Sequence, residues 1–332
     1  MKIKYNKNNG TYTIYSNKKS FKILQLTDIH LGGSIISKED DKLALKTVTE
    51  LINYAKPDFI IITGDLAIST TFLTKLNINK KIITKFANLL KEFNIPWAYT
   101  YGNHDTDFYS KKDIQKLDYL YKSLSYINGG MLLYPYTKPL ITGRCNQIIE
   151  IRNNDESLNK VLYLIDSNSY LNRKLWEYDY IHDDQVAWYE STLKEYQKEN
   201  SQIESMIFTH IPLREYLTAL ELYENQNNDV KYFFGENNEH IFGRVCCSNH
   251  PSKLFDTCKK LGSTKWIFCG HDHYNNMSLE YQGIRLTYGM SIDYHTMPNI
   301  RKHIDQRGAT LITIENNVDI KQIPYKIIKE NK

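Results

Sequence analysis

Residues 21–30 read Phe21-Lys22-Ile23-Leu24-Gln25-Leu26-Thr27-Asp28-Ile29-His30, residues 59–65 read Phe59-Ile60-Ile61-Ile62-Thr63-Gly64-Asp65, and residues 97–105 read Trp97-Ala98-Tyr99-Thr100-Tyr101-Gly102-Asn103-His104-Asp105. Each stretch is a short apolar run that ends in a polar cluster. The runs 21–26, 59–62 and 97–100 have the length and the β-branched and aromatic content of strands. Between the first two, Ser37 can cap a helix over 38–55, with an apolar face of Leu43, Leu45, Val48, Leu51 and Ile52 and a stop at Pro57. A second helical stretch ends near Phe93. The pattern is β-α-β-α-β, which predicts a parallel sheet.

Upstream, the first residues alternate around Asn9-Gly10 as in a hairpin whose turn needs positive φ. Downstream, strands are predicted at 161–165, 206–209 and 266–269, with helical stretches near 185–197 and 251–261. After Met277 the pattern changes to short strands and tight turns, ending at 310–314 and 318–323. Parallel units first and antiparallel ones later predict two packed mixed sheets flanked by helices. No repeat, low-complexity tract or Pro/Gly/Ser linker divides the chain, so it reads as one domain over 1–332. Its motif-bearing core is about 21–290, and the C-terminal strands 291–326 are expected to complete the second sheet.

Composition narrows the class. The 332 residues carry 42 Lys and Arg against 38 Asp and Glu, a formal charge of +4, with 41% hydrophobic and 24% charged residues. That is an ordinary globular composition with no run near the ~18 apolar residues of a membrane helix. The start, Met1-Lys2-Ile3-Lys4-Tyr5-Asn6-Lys7, lacks an apolar h-region, so a cytoplasmic protein is expected. The cysteines Cys145, Cys246, Cys247, Cys258 and Cys269 are odd in number and form no Cys-x-x-Cys pair, which argues against a disulfide framework and a thiolate zinc site. Cys269, in an apolar run, is expected in the core. Positive charge is spread rather than blocked, which gives a nucleic-acid surface little support.

The chemistry stands after the strands. The first three run into Asp28-Ile29-His30, Gly64-Asp65 and Gly102-Asn103-His104-Asp105, and the later ones into Asp166-Ser167, His210 and Gly270-His271-Asp272-His273. Ligands of open α/β sheets bind outside the carboxyl ends of the strands, so these clusters should converge on one rim. Asp28, His30, Asp65, Asn103, His210, His271 and His273 offer only oxygen or imidazole nitrogen, a set suited to Mn²⁺, Fe²⁺ or Zn²⁺ and too large for one tetrahedral ion. Two divalent ions sharing a carboxylate are the natural arrangement. Asp28 and His30, two apart, would point the same way on an extended segment and grip one ion, and His271 with His273 likewise. Gly64, Gly102 and Gly270 stand where a side chain would obstruct a crowded turn. His104 directly follows a candidate ligand and should point towards substrate. Taken singly, an Asp at a strand end is usually a turn or cap residue and a lone His a structural one; five such clusters in order are what changes the reading. Asp166 has no neighbouring donor and reads as a structural turn. Two ions about 3.5–4 Å apart can activate a bridging water and neutralise phosphoryl oxygens in an in-line displacement, so phosphoester hydrolysis fits best.

At these residues the sequence resembles the calcineurin-like metallophosphoesterase superfamily, whose pattern D-x-H, G-D, G-N-H-D/E, H, G-H-x-H is present in full and in order. The resemblance implies a four-layer α/β/β/α sandwich with two mixed sheets. It also implies one metal held by Asp28, His30, Asp65 and His273, and a second held by Asp65, Asn103, His210 and His271, with Asp65 as the bridge. His104 would contact the phosphate for transition-state stabilisation or leaving-group protonation, and Asp105 would orient it. The runs 97–105, 164–167, 208–213 and 270–273 resemble a branch often filed with purple acid phosphatases. Purple enzymes carry a tyrosine three positions after the bridging Asp and lack a His like His30; this chain has Ile68 and His30, so the ferric-tyrosinate colour should be absent. Gly64-Asp65 is followed by Leu66-Ala67-Ile68-Ser69-Thr70, not by the Asp-Arg-Gly element of the Ser/Thr protein phosphatases.

The expected function is therefore metal-dependent hydrolysis of a small phosphomonoester or phosphodiester by a dinuclear centre, with no membrane partner. Two alternatives compete: a nuclease of the same superfamily, disfavoured by the absence of a basic block, and a catalytically silent metal-binding scaffold, which usually loses ligands that are all present here. The long polar segment 214–251 is expected to overhang the site and select the leaving group. Within it Arg214, Arg244, His240 and His250 could meet an anion, with surface residues as the default. His295 and His303 are assigned no role.

Overall fold

The structure, a computed structural model, describes residues 1–68, 75–107, 109–240, 243–302 and 304–330. Ser69, Thr70 and His303 lie outside the described residues. In chain order the elements begin with β1 (Lys2–Tyr5), β2 (Tyr12–Tyr15), β3 (Phe21–Leu26), α1 (Lys38–Ala55), β4 (Phe59–Thr63), α2 (Lys75–Glu92), β5 (Trp97–Thr100) and α3 (Lys111–Ser123). They continue with β6 (Gln147–Arg152), β7 (Leu158–Leu164), β8 (Tyr170–Asn172), β9 (Glu177–Tyr178), α4 (Asp183–Glu199), β10 (Glu204–Phe208), α5 (Arg214–Glu224) and β11 (Val230–Phe234). Last come α6 (Leu254–Leu261), β12 (Thr264–Cys269), β13 (Ser278–Tyr281), β14 (Ile284–Tyr288), β15 (Gly308–Ile314), β16 (Val318–Pro324) and α7 (Tyr325–Glu330). They fall into two compact units, residues 1–18 with 135–288 and residues 19–134 with 289–332. No helix among the described residues is long and apolar enough to cross a membrane.

The unit of residues 19–134 and 289–332 holds a five-stranded mixed sheet in the order β16-β15-β3-β4-β5. The Phe59–Thr63 strand is buried at every residue, as a central parallel strand covered on both faces must be. It pairs in parallel with β3 (Leu26 opposite Ile62) and with β5 (Thr63 opposite Thr100). All three strands therefore end on one edge of the sheet. Helix α1 buries Asp40, Ala44, Thr47, Val48, Leu51, Ile52 and Ala55, a stripe at three- and four-residue spacing. The stripe is rotated from the expected face: Leu43 is exposed and Leu45 half-buried. Ser37 stands at the N-cap, but its hydroxyl accepts the Ser34 N–H at 3.0 Å and faces Asp41 rather than capping an N–H of the helix.

The C-terminal strands, expected to complete the second sheet, instead extend this first one. β15 runs antiparallel to β3, with Ile312 opposite Ile23, and β16 antiparallel to β15.

The unit of residues 1–18 and 135–288 holds a nine-stranded mixed sheet in the order β1-β2-β6-β7-β10-β12-β14-β13-β11. The N-terminal hairpin forms as predicted, with Tyr5 opposite Tyr12 and Gly10 at φ +77°, and β2 joins the sheet in parallel with β6. The consecutive parallel pairs β7–β10 and β10–β12 again bring three carboxyl ends to one edge. The segment 214–251, expected to overhang a site, begins instead as sheet and helix: α5 buries Tyr216, Ala219 and Leu220, and β11 forms the edge strand against β13. Arg214 donates to the Asn249 carbonyl, Arg244 pairs with Glu224, His250 lies 3.0 Å from Glu177, and His240 is exposed, so these four are surface residues.

Candidate metal centre

In the unit that holds β3, β4 and β5, the chain beyond each strand is short and hydrogen-bonded to its neighbour. The Asp28 N–H donates to the Gly64 carbonyl (3.2 Å), the His30 N–H to Asp65 (2.9 Å) and the Leu31 N–H to Leu66 (3.0 Å). This backbone ladder brings the first two clusters together. Asp28, His30 and Asp65 adopt left-handed φ of 51°, 49° and 51°. Such values are uncommon for non-glycine residues and concentrate at functional sites. The expectation that Asp28 and His30 share a direction because the segment is extended is therefore corrected: β3 has ended at Leu26, and two left-handed residues do the aiming.

The result is a buried chain of donors. His30 Nε2 lies 3.8 Å from Asp28 Oδ1 and 3.5 Å from Asp65 Oδ2, with all three side chains at 1% exposure or less. Thr27 donates its hydroxyl to the other oxygen of Asp28 at 2.7 Å, and the His104 N–H donates to the other oxygen of Asp65 at 2.9 Å. Two ligands about 2.1 Å from one ion stand roughly 3–3.4 Å apart, so the His30 separations are nearer to those of atoms around a cation than to those of good hydrogen bonds. Two carboxylates buried about one imidazole also need positive charge nearby to stay ionised. Asn103 is fully buried on the same edge. A Cβ on Gly102 would lie 2.1 Å from Asp65 Oδ1, so the glycine is required there by close approach.

Asp105 does not have the role expected of it. Its carboxylate accepts the backbone N–H groups of Asp65 (2.8 Å), Leu66 (3.0 Å), Ala67 (3.3 Å) and Gly102 (2.7 Å), tying the Asp65 turn to the Asn103 turn. Burial and the same carboxylate push the neighbouring Tyr99 phenol well above its ordinary range. The carboxylate on the His104 ring is Asp107, whose Oδ2 lies 2.7 Å from Nδ1. His104 is about a quarter exposed and Asp107 is buried. A residue directly after His104 leaves the turn in another direction; one three positions on returns to the same side. The i,i+3 spacing of His104 and Asp107 was the available sequence signal.

The other unit carries the remaining donors at the ends of β10 and β12. His210 is fully buried, and its carbonyl accepts the Gly270 N–H at 3.0 Å. His271 lies in the left-handed region at φ 77°, with Nδ1 3.3 Å from His210 Nε2. The extended pairing expected of His271 with His273 is thus corrected too: the left-handed turn aims His271 at His210. Between them, Asp272 accepts the Tyr288 hydroxyl (2.7 Å) and the Cys246 N–H (3.1 Å), while burial pushes its carboxyl up to about 6. His273 is buried beside it. Asp166 is structural, as predicted: fully buried, it accepts two bonds from the Arg144 guanidinium, at 2.9 and 2.6 Å. His295, assigned no role, lies 3.5 Å from Asp40.

The family model for calcineurin-like phosphoesterases matches residues 21–275. The chain belongs to this family. Among curated proteins it is 29% identical over 310 residues to "Probable inactive purple acid phosphatase 29" of Arabidopsis thaliana, covering 85% of this chain and 74% of that one. It is 28% identical over 281 residues to "Phosphatase DCR2" of Saccharomyces cerevisiae, covering 78% of this chain and 45% of that one. Among solved structures, a dimetal phosphatase from Danio rerio aligns over 92% of this chain and 96% of its own, with a TM-score of 0.58 at 11% identity, which shows the shared fold. The candidate donors in both units are oxygen and imidazole nitrogen, a chemistry suited to divalent transition metals.

Proposed function

We propose that the protein is a metal-dependent phosphoester hydrolase whose two units act as one catalytic domain, since neither carries the full donor set. The observation that carries this reading is the buried Asp28–His30–Asp65 chain, with His104 and its Asp107 partner on the same sheet edge. Asp28, His30, Asp65 and His273 are assigned to one divalent ion, and Asp65, Asn103, His210 and His271 to the other, with Mn²⁺, Fe²⁺ and Zn²⁺ all suited to the donors. When bound, the ion pair supplies a water nucleophilic at neutral pH and positive charge against the phosphoryl oxygens of a phosphomonoester or phosphodiester. His104 moves the proton. With Nδ1 held by Asp107, the protonated ring gives its Nε2 proton to the departing oxygen, and Asp107 fixes its orientation and stabilises its charge. Gly102 and Asp105 keep the Asp65 and Asn103 turns in contact.

Loss of hydrolysis in Asp65→Asn and in His104→Ala, with circular dichroism unchanged, is the expected result; undiminished turnover in either would overturn the reading. A silent metal-binding scaffold is the second reading, favoured by relatives whose names call them inactive. The intact His104–Asp107 pair, of no use to a scaffold, supports the hydrolase.

A further inference from the structure

A second feature beside His271 is unused by the chemistry above. The strands β8 and β9 form a small hairpin, Tyr170 opposite Tyr178, whose turn contains Arg173 and closes through Trp176 at φ 55°. Its aromatic rings form a continuous ladder. The Tyr178 ring stands edge-on to the His271 imidazole at 4.7 Å, Tyr170 stacks on Tyr178 at 5.3 Å, and Trp176 meets Tyr170 edge-on at 6.0 Å. The Arg173 guanidinium lies 4.6 Å from the Tyr170 ring centre and 4.9 Å from that of Trp176. The root of the hairpin is anchored, with the Tyr178 carbonyl accepting the Ser248 hydroxyl at 2.9 Å. The tip is exposed, Trp176 at 62% and Leu175 at 72%.

A large indole held in a left-handed conformation and left mostly in water contributes little to a core, and such outliers persist where function uses them. A planar aromatic group can meet such rings edge-on, as Tyr178 meets His271 and Trp176 meets Tyr170, or stacked, as Tyr170 meets Tyr178, and the guanidinium beside them suits a group that travels with negative charge. We propose that this hairpin recognises the leaving group, and that the substrate is a phosphoester whose alcohol carries an aromatic ring. The inference rests on the hydrolase reading and names the substrate class for that site. Trp176 is the specificity-determining residue, and Arg173 sets the ring geometry and draws the anion.

The test compares 4-phenylbutylphosphonate with 4-cyclohexylbutylphosphonate, which differ in the flat ring and not in chain length or charge. Calorimetric titration of the Mn²⁺-reconstituted protein should give a Kd about threefold to tenfold lower for the phenyl compound, the scale of one aromatic contact. Trp176→Ala should bring the ratio near one, and Trp176→Tyr should keep most of it. Equal affinities in the wild type, or a ratio that survives Trp176→Ala, would overturn the inference. Turnover of the two matching phosphate esters separates the claims. If neither is hydrolysed while the binding ratio stands, the hydrolase reading fails and the ring site survives; if both are hydrolysed with equal kcat/KM and the phosphonates bind alike, the ring site fails.

Discussion

Asp105 and Asp107 lie two positions apart on one turn and act on different partners. Asp105 is a buried acceptor for four backbone N–H groups, whereas Asp107 touches the His104 ring. Removing an acceptor from buried amides costs about 1–3 kcal/mol for each group left unsatisfied. Asp105→Ala should therefore lose about 3–5 kcal/mol in urea unfolding, at the severe end for a single substitution. Asp107→Asn should unfold near the wild-type midpoint and lower kcat about tenfold to a hundredfold. Because Asp107 acts through His104, adding it to His104→Ala should cost nothing more; a fully additive double variant would contradict this assignment. The candidate donors could be named from the sequence, because metal-competent side chains stand after each of the apolar strands. Their aim could not. Asp28, His30, Asp65 and His271 are directed by left-handed backbone that no side-chain periodicity encodes, and Asp107 reaches His104 only once the turn exists.

At the scale of elements, the strands that carry the site were readable because burial on both faces demands continuous apolar runs, as in Phe59–Thr63. Helix α1 shows what pattern reading gets right and wrong. Its bounds match those expected, although Ser37 gives it no side-chain cap, but its buried face is the stripe through Ala44, Thr47, Val48, Leu51 and Ala55, which leaves Leu43 outside. Leu51→Ala should cost about 2–5 kcal/mol, while Leu43→Ala should stay within about 0.5 kcal/mol. Comparable losses in both would mean that the helix is rotated from the orientation described. The helix and edge strand inside the segment 214–251 were missed for a related reason. Its polar composition hid the spacing of Tyr216, Ala219 and Leu220, the buried face of α5, and β11 is an edge strand whose outer residues are free to be polar. The destination of the last strands was unreadable locally, since antiparallel pairing of β15 with β3 joins residues nearly a chain length apart.

At the scale of the molecule, each unit ends its parallel strands on one sheet edge and places oxygen or imidazole donors there, and the family match runs across both. Parallel pairing is what makes clusters far apart in sequence available to a common chemistry, which is why fold and family were both legible from five short motifs. The central claim is that this donor set is catalytic and not merely occupied. The measurement that tests it most directly is hydrolysis of paired chromogenic phosphomonoester and phosphodiester substrates by chelator-stripped protein resupplied separately with Mn²⁺, Fe²⁺ and Zn²⁺, with bound metal counted in the same samples. The account predicts that turnover vanishes with the metal and returns with at least one of the three as occupancy approaches two ions per chain. Two ions bound per chain with no hydrolysis of either substrate, whichever metal is supplied, would contradict it.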